Sequence, residues 1–262
     1  MIIFIPTRGR VNVQRTRKHL FVDKIPYRTI MVVPECEADQ WDCEKFVVPD
    51  NYIFPDIRQA IVREFWEVDP YHMCMDDDLE FAIRRIKDDW HILPCTFEEI
   101  VAMLREVEVW LDTYAHGAIS PREGNNRVEA LTVENSRAMR CHFYDAEIIY
   151  KEELDFRESK CKEDFHMTLS LLELGYTNIV SYKYAQGQSG SNSKGGCERY
   201  RTPEMMEQEA YKLKELHPNG VTIVHKKTKM SWGGGTRIDV MCYWKKSFCT
   251  RANERKLFNE SH

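Results

Sequence analysis

The sequence predicts an α/β fold: a mostly parallel, Rossmann-like central sheet flanked by helices, followed by a basic C-terminal extension. Three observations predict it. Short apolar runs alternate with stretches of helical spacing, in the order strand-helix-strand-strand-helix-strand over the first 75 residues, which is the signature of a parallel sheet with packed helices. One of those runs, 71–75, leads directly into three consecutive aspartates, and open α/β sheets bind ligands beyond the carboxyl ends of their strands. The chain has 262 residues and is 43% hydrophobic, enough for the core of one large α/β domain.

Residues 2–5 are a short buried strand closed by the polar turn Pro6-Thr7-Arg8-Gly9-Arg10. Such a turn can hold a nucleotide, with backbone donors near the base and guanidinium near phosphate. Neither a Gly-Lys-Ser/Thr phosphate loop nor G-x-G-x-x-G is present. Residues 11–21 are expected to be helical, 27–34 and 45–49 to be strands. Ile57, Ile61 and Phe65 recur at spacing four, so 56–66 reads as an amphipathic helix. Thr96 and Glu99 have capping-box spacing at the start of a long helix, 96–114. A strand is expected at 117–121 and another, alternating, at 140–150. Further on come a helix from about 160 to Gly175, a strand at 178–184, a helix at 203–216 and a strand at 221–225.

Two acidic features carry chemistry. In an extended chain alternate side chains share a face, so Asp76 and Asp78 are expected on one side and Asp77 on the other. Two close carboxylates repel unless a cation lies between them, and a hard divalent ion that also holds a diphosphate would satisfy them. A solvated acidic turn capping a helix from Leu79 fits the same residues. The second feature is Glu163-Asp164 in the first turn of a helix. Helix-dipole capping explains such a pair, and so does a general base with a supporting carboxylate.

Charge is divided unevenly. The net charge is −5, yet basic side chains outnumber acidic ones from Lys183 onward, and the reverse holds before it. A basic face for a polyanion and a merely solvated tail both fit this asymmetry. The Gly/Ser/Asn-rich stretch 185–201 contains Lys194, Arg199 and Arg201 and has the composition of a lid. Lys226, Lys227, Trp232 and Arg237 follow it. The expected division is a core over 1–190 and a basic lid or acceptor-binding extension of the same domain over 191–262. Nine cysteines without a Cys-x-x-Cys pair argue against a disulfide framework or zinc ribbon and point to a reducing cytoplasm. No apolar run has the length of a membrane span.

A strand ending in Pro-Thr-Arg, an Arg58-Gln59-Ala60 helix, the aspartate triplet and a later helix opening with Glu163-Asp164 together resemble GT-A fold glycosyltransferases. The resemblance covers the first 190 residues. It implies Asp76 and Asp78 as ligands of a divalent metal (Mn2+ or Mg2+) on a nucleotide-sugar, with His225 as a late additional ligand. It implies Asp164 as the base of an inverting transfer, supported by Glu163. Donor contacts would come from Pro6, Thr7, Arg8, Arg10, Arg58 and Asp77. Size, the extra aspartate and the Ser-Asn-Ser-Lys-Gly-Gly loop look like the TET-associated DNA glycosyltransferases, phage enzymes related to the base J glucosyltransferase. That likeness implies a UDP-linked sugar as donor, hydroxymethylpyrimidine DNA as acceptor and the host cytoplasm as location. Lys194, Arg199, Arg201, Lys226, Lys227, Trp232 and Arg237 would then face the DNA. The rival readings are a polysaccharide or protein acceptor, a nucleotidyltransferase or nuclease, and a non-catalytic DNA-binding relative.

Overall fold

The computed structural model describes residues 1–85, 91–188, 201–227 and 235–248. A large mixed sheet runs through it, in the order β3-β2-β1-β4-β9-β7-β10-β5-β6. Its strands are β1 (Ile2–Pro6), β2 (Thr29–Pro34), β3 (Lys45–Val48), β4 (Tyr71–Met75), β5 (Leu79–Arg85), β6 (His91–Pro94), β7 (His116–Pro121), β8 (Thr132–Glu134), β9 (Cys141–Asp145) and β10 (Asn178–Gln188). β1 pairs in parallel with both β2 and β4, and β2 with β3. β9 runs antiparallel between β4 and β7. β10 lies parallel to β7 and pairs antiparallel with β5 through its second half and with β8 through its first.

The helices of this core are α1 (Arg15–His19), α2 (Phe54–Phe65), α3 (Phe97–Leu111), α4 (Ala146–Lys151) and α5 (Glu163–Glu173). One sheet face packs α3 through Ile100, Met103, Leu104 and Val107 against Ile3, Ile5, Met73 and Phe143. The other packs α2 and α5 through Ile61, Val62, Met167 and Leu171 against Phe4, Ile30, Cys74 and Tyr144. Period-two alternation along β1 and β4 divides these two sets, which is why a short strand buried on both faces reads as a continuous apolar run. Thr96 caps α3 as its sequence predicts: Glu99 N–H donates to Thr96 Oγ1 and Thr96 N–H to the Glu99 carboxylate.

Several expectations are corrected. The helix expected over 11–21 is only five residues long, Arg15–His19. The strand expected over 140–150 ends at Asp145, whose side chain accepts from the N–H groups of Glu147 and Ile148 and starts α4. Leu79 opens a strand, not a helix, since β5 finds an antiparallel partner in β10. Gly117 sits mid-strand where a Cβ would fall 2.2 Å from the Ile179 carbonyl oxygen and 2.3 Å from the Phe143 ring. Only glycine fits there.

Beyond the large sheet, α6 (Pro203–Leu216) and the hairpin of β11 (Val221–Lys227) and β12 (Thr236–Cys242) pack on α5. Leu169 meets Ala210, Leu213, Val221 and Val240 in a small core of its own. Polar ties reinforce it. Glu209 accepts from Ser159 Oγ at 2.8 Å and from Lys160 N–H at 2.6 Å, fixing the segment before α5. His217 joins His166 of α5 at 3.0 Å and Glu173 at 3.0 Å.

Candidate functional site

The order β3-β2-β1-β4 places a topological switch point between β1 and β4: from β1 the chain winds outward to β2 and β3, then returns to β4 on the other side. Ligands of open α/β sheets bind there, beyond the carboxyl ends of the strands. Both strands end at this point in polar turns, after Pro6 and after Met75.

The two turns are bonded to each other. Thr7 Oγ1 donates to Asp77 Oδ2 at 2.6 Å. Arg10 Nη1 bridges Asp77 Oδ1 at 2.5 Å and Asp78 Oδ2 at 3.2 Å. Gly9 turns this loop with φ +71° and donates its N–H to Glu37 Oε1 at 2.8 Å. Residues 76–78 form a turn, not an extended chain, so strict alternation does not hold and Asp77 and Asp78 share one guanidinium. Gln188 at the end of β10 adds a donor to Asp78 Oδ2 at 3.0 Å.

Below the turn, Thr16 secures the backbone. Its hydroxyl donates to the Asp76 carbonyl and accepts from Leu79 N–H, while its own N–H donates to the Asp77 carbonyl. Thr16 and Gln188 were not singled out by the sequence reading. Thr16 stands in a basic segment that reads as solvent-exposed, and no local pattern links it to a turn 60 residues away.

Two carboxylates are only partly satisfied. Asp78 Oδ1 is buried with no hydrogen-bond partner among the described residues. Burial, reinforced by Asp78 and Asp77, pushes the Asp76 carboxyl up to about 7 although Arg58 opposes it. A buried, unpartnered carboxylate oxygen beside a second strained carboxylate fits a divalent cation, whose ligands are oxygens. Asp76 and Asp78 are thus the residues that could hold one, whereas Asp77 is committed to Thr7 and Arg10. His225 lies on exposed β11, paired with Ile238. Among the described residues no three His, Cys, Asp or Glu side chains gather at metal-ligand spacing, so His225 does not complete a set with Asp76 and Asp78. The hairpin that carries it packs on α5.

The second acidic pair opens α5. Glu163 is buried and its Oε2 has no partner among the described residues. Asp164 is half-buried, and its Oδ1 accepts from Phe165 N–H at 2.9 Å. Burial and the adjacent Asp164 raise the Glu163 carboxyl, with Arg58 and then Arg201 drawing it back. Arg58, expected to touch a donor, is instead only 2% exposed. It lines a small cavity with Asp164, His116, His142 and Tyr144. Burial opposes the charge on the guanidinium, and the nearby carboxylates of Glu163, Asp164 and Asp76 favour it.

Pro6 and Thr7 are buried at the end of β1 and Arg8 is half-buried beside them. Arg201, expected on a DNA-facing surface, acts electrostatically on both Asp76 and Glu163. Lys226 and Arg237 both pair with Asp239, at 3.0 and 3.2 Å. Burial would raise the Asp239 carboxyl, but Lys162 and Lys226 pull it well below its ordinary range. Lys227 is exposed on β11. Lys194, Arg199 and Trp232 lie outside the described residues.

An acidic turn thus lies at the switch point of a mixed α/β sheet, and a second acidic pair opens a helix packed on that sheet. A family model described as TET-Associated Glycosyltransferase matches residues 1–196, and the chain belongs to this family of glycosyltransferases. Among curated proteins none matches it in sequence. Similar solved structures include GalNAc-T7 with UDP, GalNAc and Mn2+, at 10% identity and TM-score 0.47 over 82% of this chain and 48% of that one. Another is the 4-diphosphocytidyl-2C-methyl-D-erythritolsynthase from Anaerococcus prevotii DSM 20548, at 10% identity and TM-score 0.43 over 80% of this chain and 94% of that one. The chain spans about half the length of GalNAc-T7. Family membership rests on the family match alone. Among the described residues no helix is long and apolar enough to cross a membrane.

Proposed function

We propose that this chain transfers a sugar from a nucleotide-sugar, UDP-linked, to the hydroxymethyl group of a modified pyrimidine in phage DNA, with inversion and with a divalent metal. Membership of a TET-associated glycosyltransferase family carries the reading, and the buried Asp78 Oδ1, without a hydrogen-bond partner among the described residues, supports its metal dependence. Asp76 and Asp78 would hold Mn2+ or Mg2+, which supplies neutralisation of charge on the departing diphosphate.

The protein's own groups do the rest. Thr7 and Arg10 fix the acidic turn, and Arg8 is available to a donor phosphate or base. Asp164 takes the proton of the acceptor hydroxyl as its oxygen bonds to the anomeric carbon. The bond from that carbon to the diphosphate oxygen breaks with its electron pair, and the nucleoside diphosphate leaves. Glu163, buried behind Asp164, positions the start of α5. Base assistance of this kind is worth about 100- to 10,000-fold in rate.

For DNA, phosphate contacts would supply the binding energy, and the target base must be splayed out or reached through a groove. Lys194, Arg199, Arg201, Lys226, Lys227, Trp232 and Arg237 are the proposed DNA contacts. Because Lys226 and Arg237 already pair with Asp239, each must exchange that partner for phosphate.

The test is a transfer assay with UDP-glucose or a mixed nucleotide-sugar pool, Mn2+ or Mg2+, and DNA carrying 5-hydroxymethylcytosine or 5-hydroxymethyluracil. Digested nucleosides are read by mass spectrometry. A sugar-sized mass increment confined to the modified base is the expected result. Metal-dependent hydrolysis of a nucleotide-sugar without any increment rejects DNA as the acceptor and directs the search to polysaccharide or protein.

A further inference from the structure

Arg58 is an unusual residue to bury. It projects from α2 and is 2% exposed, and its Nε and Nη1 have no hydrogen-bond partner among the described residues. Its guanidinium lies 4.6 Å from the centre of the Phe54 ring and 5.9 Å from that of Phe156, so aromatic faces hold its position without using its donors. An Arg buried with idle donors is costly unless charges around it repay the desolvation. Those charges are present: Asp76 at the end of β4, and Glu163 and Asp164 at the start of α5. The cavity that Arg58 lines also has Asp164 in its wall, together with the unpartnered ring nitrogens of His116 and the Tyr144 hydroxyl.

We propose that Arg58 is a positioning residue, a buried counter-ion shared by the two acidic centres, which holds the buried Glu163 carboxylate and the start of α5 in place against Asp76 at the end of β4. It acts through the carboxylates and touches neither donor nor acceptor. Its catalytic consequence rests on the reading of Asp164 as the general base.

The other groups facing the pair do not substitute for it. His142 and His116, from the sheet beneath, are held neutral by burial. Cys74 and Cys242 are thiols pushed up by burial, to about 11 and about 12. Arg201, from the segment before α6, draws Glu163 down less than Arg58 does. Lys162, next in the chain, is paired with Asp239 at 3.3 Å. Among the described residues Arg58 is therefore the principal cation acting on Glu163.

The experiment reads the pair directly, without substrate. Protein labelled with 13C at glutamate carboxyls is titrated by NMR, with the Glu163 signal assigned by its loss in E163Q. Arg58→Met keeps the bulk and removes the charge, and it should raise the Glu163 midpoint by about one pH unit or more. Arg58→Lys keeps the charge but not the planar fork, and should raise it by a smaller, measurable amount. A folded R58M protein whose Glu163 midpoint matches the parent overturns the proposal. If R58M does not fold, an R58K midpoint equal to the parent's does the same.

Turnover of the donor separates this inference from the function on which it rests. In R58M, kcat should fall roughly 10- to 100-fold, and donor KM should rise because Asp76 loses the same counter-ion. A shifted Glu163 midpoint in a protein that turns over no nucleotide-sugar upholds Arg58 and removes the glycosyl-transfer reading. Turnover by the parent with an unmoved midpoint does the reverse.

Discussion

Thr16 Oγ1 donates to the carbonyl oxygen of Asp76 at 2.6 Å, and this bond ties a short helix to the acidic turn at the end of β4. The same hydroxyl accepts from Leu79 N–H at 2.8 Å, so it spans the turn from its first residue to the strand that follows. Thr16→Val removes both bonds and leaves a buried N–H and C=O unpaired. A loss of about 2–4 kcal/mol in stability is expected, with Thr16→Ser restoring most of it. Chemical denaturation of the three proteins checks this, and equal stability of T16V and the parent would refute the clamp.

Asp164→Asn keeps the size of the side chain and removes its basicity. Turnover should drop about 100- to 10,000-fold, with donor affinity nearly unchanged because the change lies on the acceptor side of the reaction. Steady-state rates alongside donor calorimetry measure both. Transfer at close to the parent rate would exclude Asp164 as the base.

Asp78→Ala should abolish the metal-dependent part of donor binding, since the carboxylate with the unpartnered buried oxygen is lost. Asp77→Asn is the contrasting variant. It weakens the contacts to Thr7 and Arg10 yet removes no proposed ligand, so metal-dependent binding should persist. Calorimetry with and without Mn2+ distinguishes the two, and a metal response retained in D78A would count against the assignment.

Acid should destabilise the fold in a defined window. Burial lowers His72 to about 4 and His116 to about 3, and it pushes His142 well down too. The unfolded chain takes up these protons near pH 6.5, the folded one only much lower. Their contribution is therefore complete above about pH 6.5 and is lost as pH falls toward 4. His72 and His116 each contribute on the order of a few kcal/mol. Denaturant midpoints measured across this range should decline steeply, and His116→Gln should flatten the slope. A stability unchanged between pH 6.5 and 4.5 would contradict it.

Much of the chain was legible where its signals are local. The runs ending at Pro6 and Pro34, the cap at Thr96 and the helix 203–216 all follow from patterns a few residues long. β5, β6, β8 and β12 were not, since a strand's partner decides whether its pattern matters. The site was legible in part: Asp76, Asp78 and Glu163-Asp164 stand out as acidic clusters at element ends. Arg58 was misread as a donor contact because an Arg on an amphipathic helix ordinarily faces solvent, and here α2 turns it inward.

Sequence alone determined the α/β class, the placement of the carboxylates at element ends and the kinship with TET-associated glycosyltransferases, because periodicity, caps and motif order are properties of neighbouring residues. Tertiary structure decided which groups meet: Thr16 under Asp76, Arg10 across Asp77 and Asp78, and Arg58 among the carboxylates of β4 and α5. Most of those contacts join residues 60 or more positions apart. They form only when parallel pairing of β1 with β4, and packing of α2 and α5 on one sheet face, bring distant segments together.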